Sequence, residues 1–117
     1  MRDLFFGSCQ YIDVVAFFAL TMVHGPRWDG SLQIREQQAW DEHAVFMDGL
    51  VDDGFVILGG PLADGELVLL VVEATDENEV RERLSDDPWA SMGLLQTGVI
   101  KPWTIWLDGR EGGGRAG

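Results

Sequence analysis

An α+β fold, with two helices on one face of a four-stranded antiparallel sheet, is predicted by three features of this sequence. Apolar β-forming runs and amphipathic segments follow one another in the order strand, helix, strand, strand, helix, strand. Glycine, proline and aspartate clusters punctuate the joins between them. The length, 117 residues, is enough for one hydrophobic core and too short for two.

The first strand spans Ala16 to Val23 and ends at the breaker His24-Gly25-Pro26. After the polar segment Arg27 to Leu32, a helix is expected from about Gln33 to Asp53, stopped by Gly54 as a C-terminal cap. Phe55 to Leu58 makes a short second strand, closed by Gly59-Gly60-Pro61. A turn at Ala63-Asp64-Gly65 leads into a third strand from Glu66 to Glu73, so the two form an antiparallel hairpin. Asp76 and Glu79 have capping-box spacing and open a second helix with Val80 and Leu84 inward. This helix stops before Pro88, a turn passes through Met92-Gly93, and the last strand runs from Thr97 to Leu107. Pro102 removes a ladder donor from that strand, which places it at a bulge or on a free edge. The order βαββαβ is that of the split βαβ, or ferredoxin-like, arrangement. Its second sheet face has no helices over it. In a chain that is 46% hydrophobic with five tryptophans, a symmetric homodimer is expected to cover that face by packing sheet on sheet.

Residues 1–15 show neither period and read as an N-terminal extension or arm. The domain is expected over 16–109, followed by a disordered glycine-rich tail over 110–117. The apolar run from Val14 to Val23 is too short to span a membrane, and Leu4-Phe5-Phe6 is too short for a signal sequence. A formal charge of −12 repels phosphate backbones and anionic lipid, so neither nucleic acid nor a membrane is an expected partner. Cys9 is the single cysteine, which excludes an intramolecular disulfide and suits a cytoplasmic protein.

His43 stands out on the first helix. It shares the apolar stripe Trp40, His43, Ala44, Met47, Leu50, Val51, whereas Glu36, Asp41, Asp48, Asp52 and Asp53 mostly fall elsewhere. An imidazole turned toward a core needs a partner, because burying its nitrogens unpaired costs roughly 1–3 kcal/mol.

In order and spacing, His43-Ala44-Val45-Phe46-Met47 with Leu50, Gly54, Gly59-Gly60-Pro61, Asp87-Pro88-Trp89 with Met92-Gly93-Leu94, and Lys101-Pro102-Trp103 resemble the YCII-related family. The resemblance covers roughly residues 17 to 107. It implies a dimeric α/β barrel of two ferredoxin-like subunits, each with a cleft lined by a catalytic histidine and aspartate. These roles carry over to His43 and Asp87. Wider relatives, a chlorinated hydroxyhydroquinone dehydrochlorinase and muconolactone isomerases, move protons on small ring compounds. The chain departs from short family members at residues 1–15 and in the polar insert from Gly25 to Leu32.

A neutral imidazole exchanges a proton near neutral pH, and a carboxylate on one nitrogen fixes the tautomer that leaves the other free. The plainer alternative is structural, with His43 tying its helix to a loop carbonyl and Asp87 capping the turn at Pro88. Trp40 and Trp89 are candidate aromatic walls for a planar substrate, His24 and Pro61 candidate lining residues, and Trp28 a candidate lid. His24 also reads as an exposed turn residue, and Trp28 as a loop anchor. Two histidines without a third ligand make no convincing zinc site, so neither metal nor other cofactor is expected. Gly59-Gly60-Pro61 lacks the lysine and helix of a phosphate loop, and no acyl-enzyme nucleophile motif occurs. The expected function is therefore a small cofactor-independent enzyme doing isomerase-, lyase- or dehydrochlorinase-like proton transfer on a cyclic or phenolic compound. The alternative is a non-catalytic dimeric module that binds a small molecule or regulates.

Overall fold

The structure is a computed structural model that describes residues 16–63 and 65–110. The arm expected over 1–15 and the tail from 111 onward lie outside the described residues. Four strands, β1 (Ala16–His24), β2 (Val56–Leu62), β3 (Leu67–Ala74) and β4 (Leu95–Trp103), form one antiparallel sheet in the order β2-β3-β1-β4. Three helices accompany them: α1 (Trp40–Asp52), α2 (Glu77–Ser85) and the short α3 (Pro88–Ser91). This is the ferredoxin-like α+β arrangement.

Alternation along the central strands sets the layers. Phe18, Leu20 and Met22 of β1 and Leu70, Val72 and Ala74 of β3 point to the helical side, where they meet Leu50, Val80, Leu84 and Trp89 in the core. Burial of Leu20, Val80, Leu84 and Val72 is nearly complete, and each such side chain contributes roughly 1.5–3 kcal/mol.

Four boundaries differ from the sequence expectation. The first helix starts at Trp40 rather than near Gln33. A single 3₁₀ turn at Ile34–Glu36 precedes it, Gln37 is extended, and Ala39 adopts a left-handed conformation at φ 60°. The side chain of Gln37 gives the reason: it is buried and serves the loop before it rather than a continuous helix. At the other end, Gly54 at φ 81° lets its N–H donate to the Val51 carbonyl while Phe55 N–H donates to that of Leu50, the paired bonds of a Schellman cap.

Strand β2 does not close at Gly59-Gly60-Pro61 but continues to Leu62. An edge strand tolerates a missing N–H, and Gly59 leaves room for Leu70, whose Cδ2 would lie 2.5 Å from an added Cβ. The turn after Asp87 is the helix α3, begun by Pro88 at its first position. Strand β4 starts earlier and ends earlier than expected, at Leu95 and Trp103. Pro102 lies on this edge strand, while the bulge falls separately, opposite Thr21, where Gly98 has Thr21 Oγ1 and carbonyl oxygen within 3.0 Å of an added Cβ.

Candidate functional site

Helix α1 presents His43 on its buried face, with Leu50 two turns on. Asp87 reaches it from the opposite side of the helical layer. As N-cap of α3, Asp87 accepts the Trp89 N–H on Oδ1 at 2.9 Å. The same carboxylate accepts His43 Nδ1–H, at 2.8 Å to Oδ2 and 3.0 Å to Oδ1. Both residues are buried, His43 to 7% exposure and Asp87 to 2%. The two sequence readings of Asp87, cap and histidine partner, are thus fulfilled by one side chain. With the proton held on Nδ1, Nε2 carries the lone pair.

Nε2 has no hydrogen-bond partner among the described residues, and no buried polar side-chain atom among them is left unsatisfied. It therefore opens onto the cavity that His43 lines. This cavity measures about 270 Å³ and lies between α1 and the helical face of the sheet. Trp40, Met47, Pro61 and Leu70 form much of its apolar wall, and Asp48 joins His43 and Asp87 as its polar part.

The aromatic residues divide. Trp40 lines the cavity, and its ring sits 5.7 Å from that of His43. Trp89, expected as a second wall, lies behind the imidazole. It is completely buried, stacks on His43 at 3.9 Å and 6°, and donates its indole N–H to the Gln38 carbonyl at 2.6 Å. That stack fixes the plane of the imidazole, while the Asp87 carboxylate fixes its rotation. Trp28 packs edge-on against Trp89 at 5.8 Å and stacks on His24 at 3.9 Å.

His24 and Trp28 line a separate, adjoining cavity of about 530 Å³, which shares Ile34 and Pro61 with the first. His24 Nε2 bonds the Gly65 carbonyl at 2.8 Å, tying the end of β1 to the β2–β3 turn. Pro61 thus reaches the His43 cavity, whereas His24 and Trp28 do not. Val51, placed on the buried stripe by its spacing, is 53% exposed at the rim of the cavity. No three histidine, cysteine, aspartate or glutamate side chains among the described residues cluster as metal ligands.

Two site features escaped the sequence reading. Gln37 is buried, accepts the Asp29 N–H at 3.1 Å, and donates to the carbonyls of Asp29 at 2.8 Å and Leu32 at 3.2 Å. It folds the Gly25–Leu32 insert against the start of α1. A glutamine gives no such signal in sequence, where it reads as helix surface. The spacing sets Asp48 among acidic residues that mostly fall off the apolar stripe; it is exposed, yet it sits beside Met47 at the edge of that stripe and lines the cavity.

A family model for the YCII-related domain matches residues 18–104. The chain belongs to the YCII-related family. Its histidine and Asp-Pro-aromatic segments, far apart in sequence, meet at this cavity. Among solved structures, this YCII-related chain is similar to the 5-chloro-2-hydroxyhydroquinone dehydrochlorinase of Burkholderia phenoliruptrix AC1100 in complex with 2,5-dihydroxybenzoquinone. The two are 24% identical with a TM-score of 0.58, over 75% of this chain and 93% of that one. At that identity the likeness speaks for a shared fold. No curated protein matches the chain.

Proposed function

We propose that this YCII-related protein is a small enzyme that uses His43 Nε2 as general acid/base on a single-ring, cyclic or phenolic compound, with Asp87 as the residue that orients it. The observation that carries the reading is the Asp87–His43 Nδ1 bond combined with an unpartnered Nε2 at a cavity of about 270 Å³. A histidine as buried as His43 would, in a purely structural role, have both nitrogens satisfied. The volume falls just below the roughly 300–1,000 Å³ of sites for drug-sized ligands, which suits one ring with few substituents.

In such a site the neutral imidazole takes a proton from a hydroxyl or an acidic ring C–H. Asp87, bonded to Nδ1–H, then faces the imidazolium and stabilises it. In isomerisation the imidazolium returns the proton to another atom of the ring; in elimination the electron pair left behind forms a new double bond as the substituent departs with its bonding pair, and the imidazolium gives up its proton to the leaving group or to water. The dehydrochlorinase whose fold the chain shares is named for chemistry of this second kind. The catalytic step needs no cofactor.

The test is proton exchange. Wild-type protein in D₂O is incubated with a panel of phenols, enols and lactones, and deuterium incorporation or product formation is followed by NMR. Acceleration lost in His43→Ala and reduced in Asp87→Asn supports the enzyme; binding without acceleration for any compound supports the alternative, a non-catalytic binding module.

A homodimer is proposed on separate grounds. On the sheet face away from the helices, Leu58, Leu62, Leu69 and Trp103 are each at least 37% exposed and surround a groove of about 610 Å³. A second copy packed sheet on sheet would bury them as one apolar layer and complete a dimeric α/β barrel. No helix among the described residues is long and apolar enough to cross a membrane. With the single cysteine, the proposed setting is the cytoplasm.

A further inference from the structure

We infer that the His43 cavity selects neutral, hydroxyl-bearing rings and rejects carboxylates, with Asp48 as the residue that sets this preference. The inference rests on the binding site proposed above but not on its catalysis. Two carboxylates, Asp48 and Asp87, and one imidazole line the cavity, and no lysine or arginine does so among the described residues. With His43 neutral the wall carries two negative charges, and with His43 protonated it still carries one in excess. In either state an anionic ligand meets like charge on the wall: Asp87 is buried and poorly screened, while the exposed Asp48 is screened by solvent and acts on a ligand seated directly beside it.

None of the described cations lies on the cavity wall. Arg81, Arg83 and Arg110 pair with Glu77, Asp53 and Asp108, and Lys101 lies on the opposite face of the sheet. Arg27 packs over Gly93. Arg35 is the nearest to the site, but its guanidinium carbon sits 5.9 Å from the Trp40 ring centre and it is not part of the cavity wall.

The available hydrogen-bonding groups point the same way. Asp48 makes no hydrogen bond or ion pair among the described residues, so its carboxylate is a free acceptor on the wall, as is the Nε2 lone pair of His43. A ring with two hydroxyl groups supplies the donors that two acceptors need. A ring carboxylate supplies none, and when His43 is neutral it finds a single side-chain donor on the described wall, the Trp40 indole N–H.

The experiment compares a matched pair, 3-hydroxybenzyl alcohol and 3-hydroxybenzoate, titrated into the full-length protein and followed by protein NMR shifts at neutral pH. The expected result is at least about tenfold tighter binding of the alcohol, a gap that narrows severalfold in Asp48→Asn and inverts in Asp48→Lys. Asp48 is exposed, so these variants keep the fold. Equal or tighter binding of the benzoate by wild type overturns the inference, and loss of that binding in Arg35→Gln would then mark Arg35 as an anion seat. An unchanged gap in both Asp48 variants overturns the role of Asp48. Failure of both compounds to bind at millimolar concentration overturns the whole inference. Selective binding of the alcohol without any proton exchange leaves it standing while the enzyme reading fails.

Discussion

Asp87 holds two things at once: the N-terminus of α3, through the Trp89 N–H beneath the imidazole, and the tautomer of His43. Removing it with Asp87→Ala strands two buried donors, with an expected loss of roughly 2–4 kcal/mol in urea unfolding. Asp87→Asn keeps the shape and the cap. It offers either an amide oxygen without charge or an amide donor that drives the imidazole to the other tautomer, so proton exchange should fall on the order of 10²- to 10⁴-fold with little loss of stability. The residue scale is also where sequence was most and least informative. His43 was legible because a polar ring in an apolar stripe is an inconsistency that demands a partner. Trp89 was misplaced to the cleft wall, because an aromatic beside a candidate carboxylate reads alike whether it faces the ligand or supports the histidine from behind.

Among the elements, the segment from Gly25 to Gln38 departs most from expectation. Helical periodicity was extended back to Gln33, but three side-chain bonds from Gln37 outweigh two more turns of helix, and Trp89 holds the Gln38 carbonyl at the same junction. The Gln37 bonds reach back five to eight residues into a loop and the Trp89 bond spans 51, so neither follows a helical or strand period. Gln37→Leu should therefore cost roughly 1–3 kcal/mol and raise protease cleavage within 25–32 ahead of global unfolding. Ala39, at φ 60°, is strained for a residue with a Cβ, so Ala39→Gly should be neutral or stabilising by up to about 1 kcal/mol despite glycine's greater unfolded-state entropy. The insert also carries a pH response. The Ser31 hydroxyl and amide hold the Asp29 carboxyl below its ordinary 3.8. A depressed folded pKa means that this contribution is fully present above about pH 4 and is lost as pH falls through the lower folded value. The protection of the Ser31 amide, its exchange rate relative to the intrinsic rate at the same pH, should fall in that acid window and hold at neutral pH. In contrast, α2 and the Gly54 cap were legible, since Asp76 and Gly54 act within four residues of their partners.

For the whole molecule, strand order and layer arrangement followed from the sequence because alternation in β1 and β3 fixes which side chains meet the helices, and a right-handed βαβ connection leaves few other topologies. The depth of the cavity was not legible, since it depends on where Pro61 and Met47 come to rest across the sheet and helix layers. The exposed apolar face makes a definite forecast. Sedimentation at micromolar concentration should give about twice the 13.0 kDa chain mass, and Leu69→Lys, placed at the groove, should give monomer with the helical core intact. A stable wild-type monomer would refute the barrel.

The state of the His43 imidazole tests the central claim most directly. Long-range proton–nitrogen NMR on labelled protein near neutral pH distinguishes the two tautomers and reports contact at each nitrogen. The expected spectrum has the proton on Nδ1, a lone pair on Nε2, and an Nε2 resonance that moves when 3-hydroxybenzyl alcohol is added while Nδ1 stays put. A proton on Nε2, or an Nε2 resonance indifferent to a ligand that demonstrably binds, would contradict it.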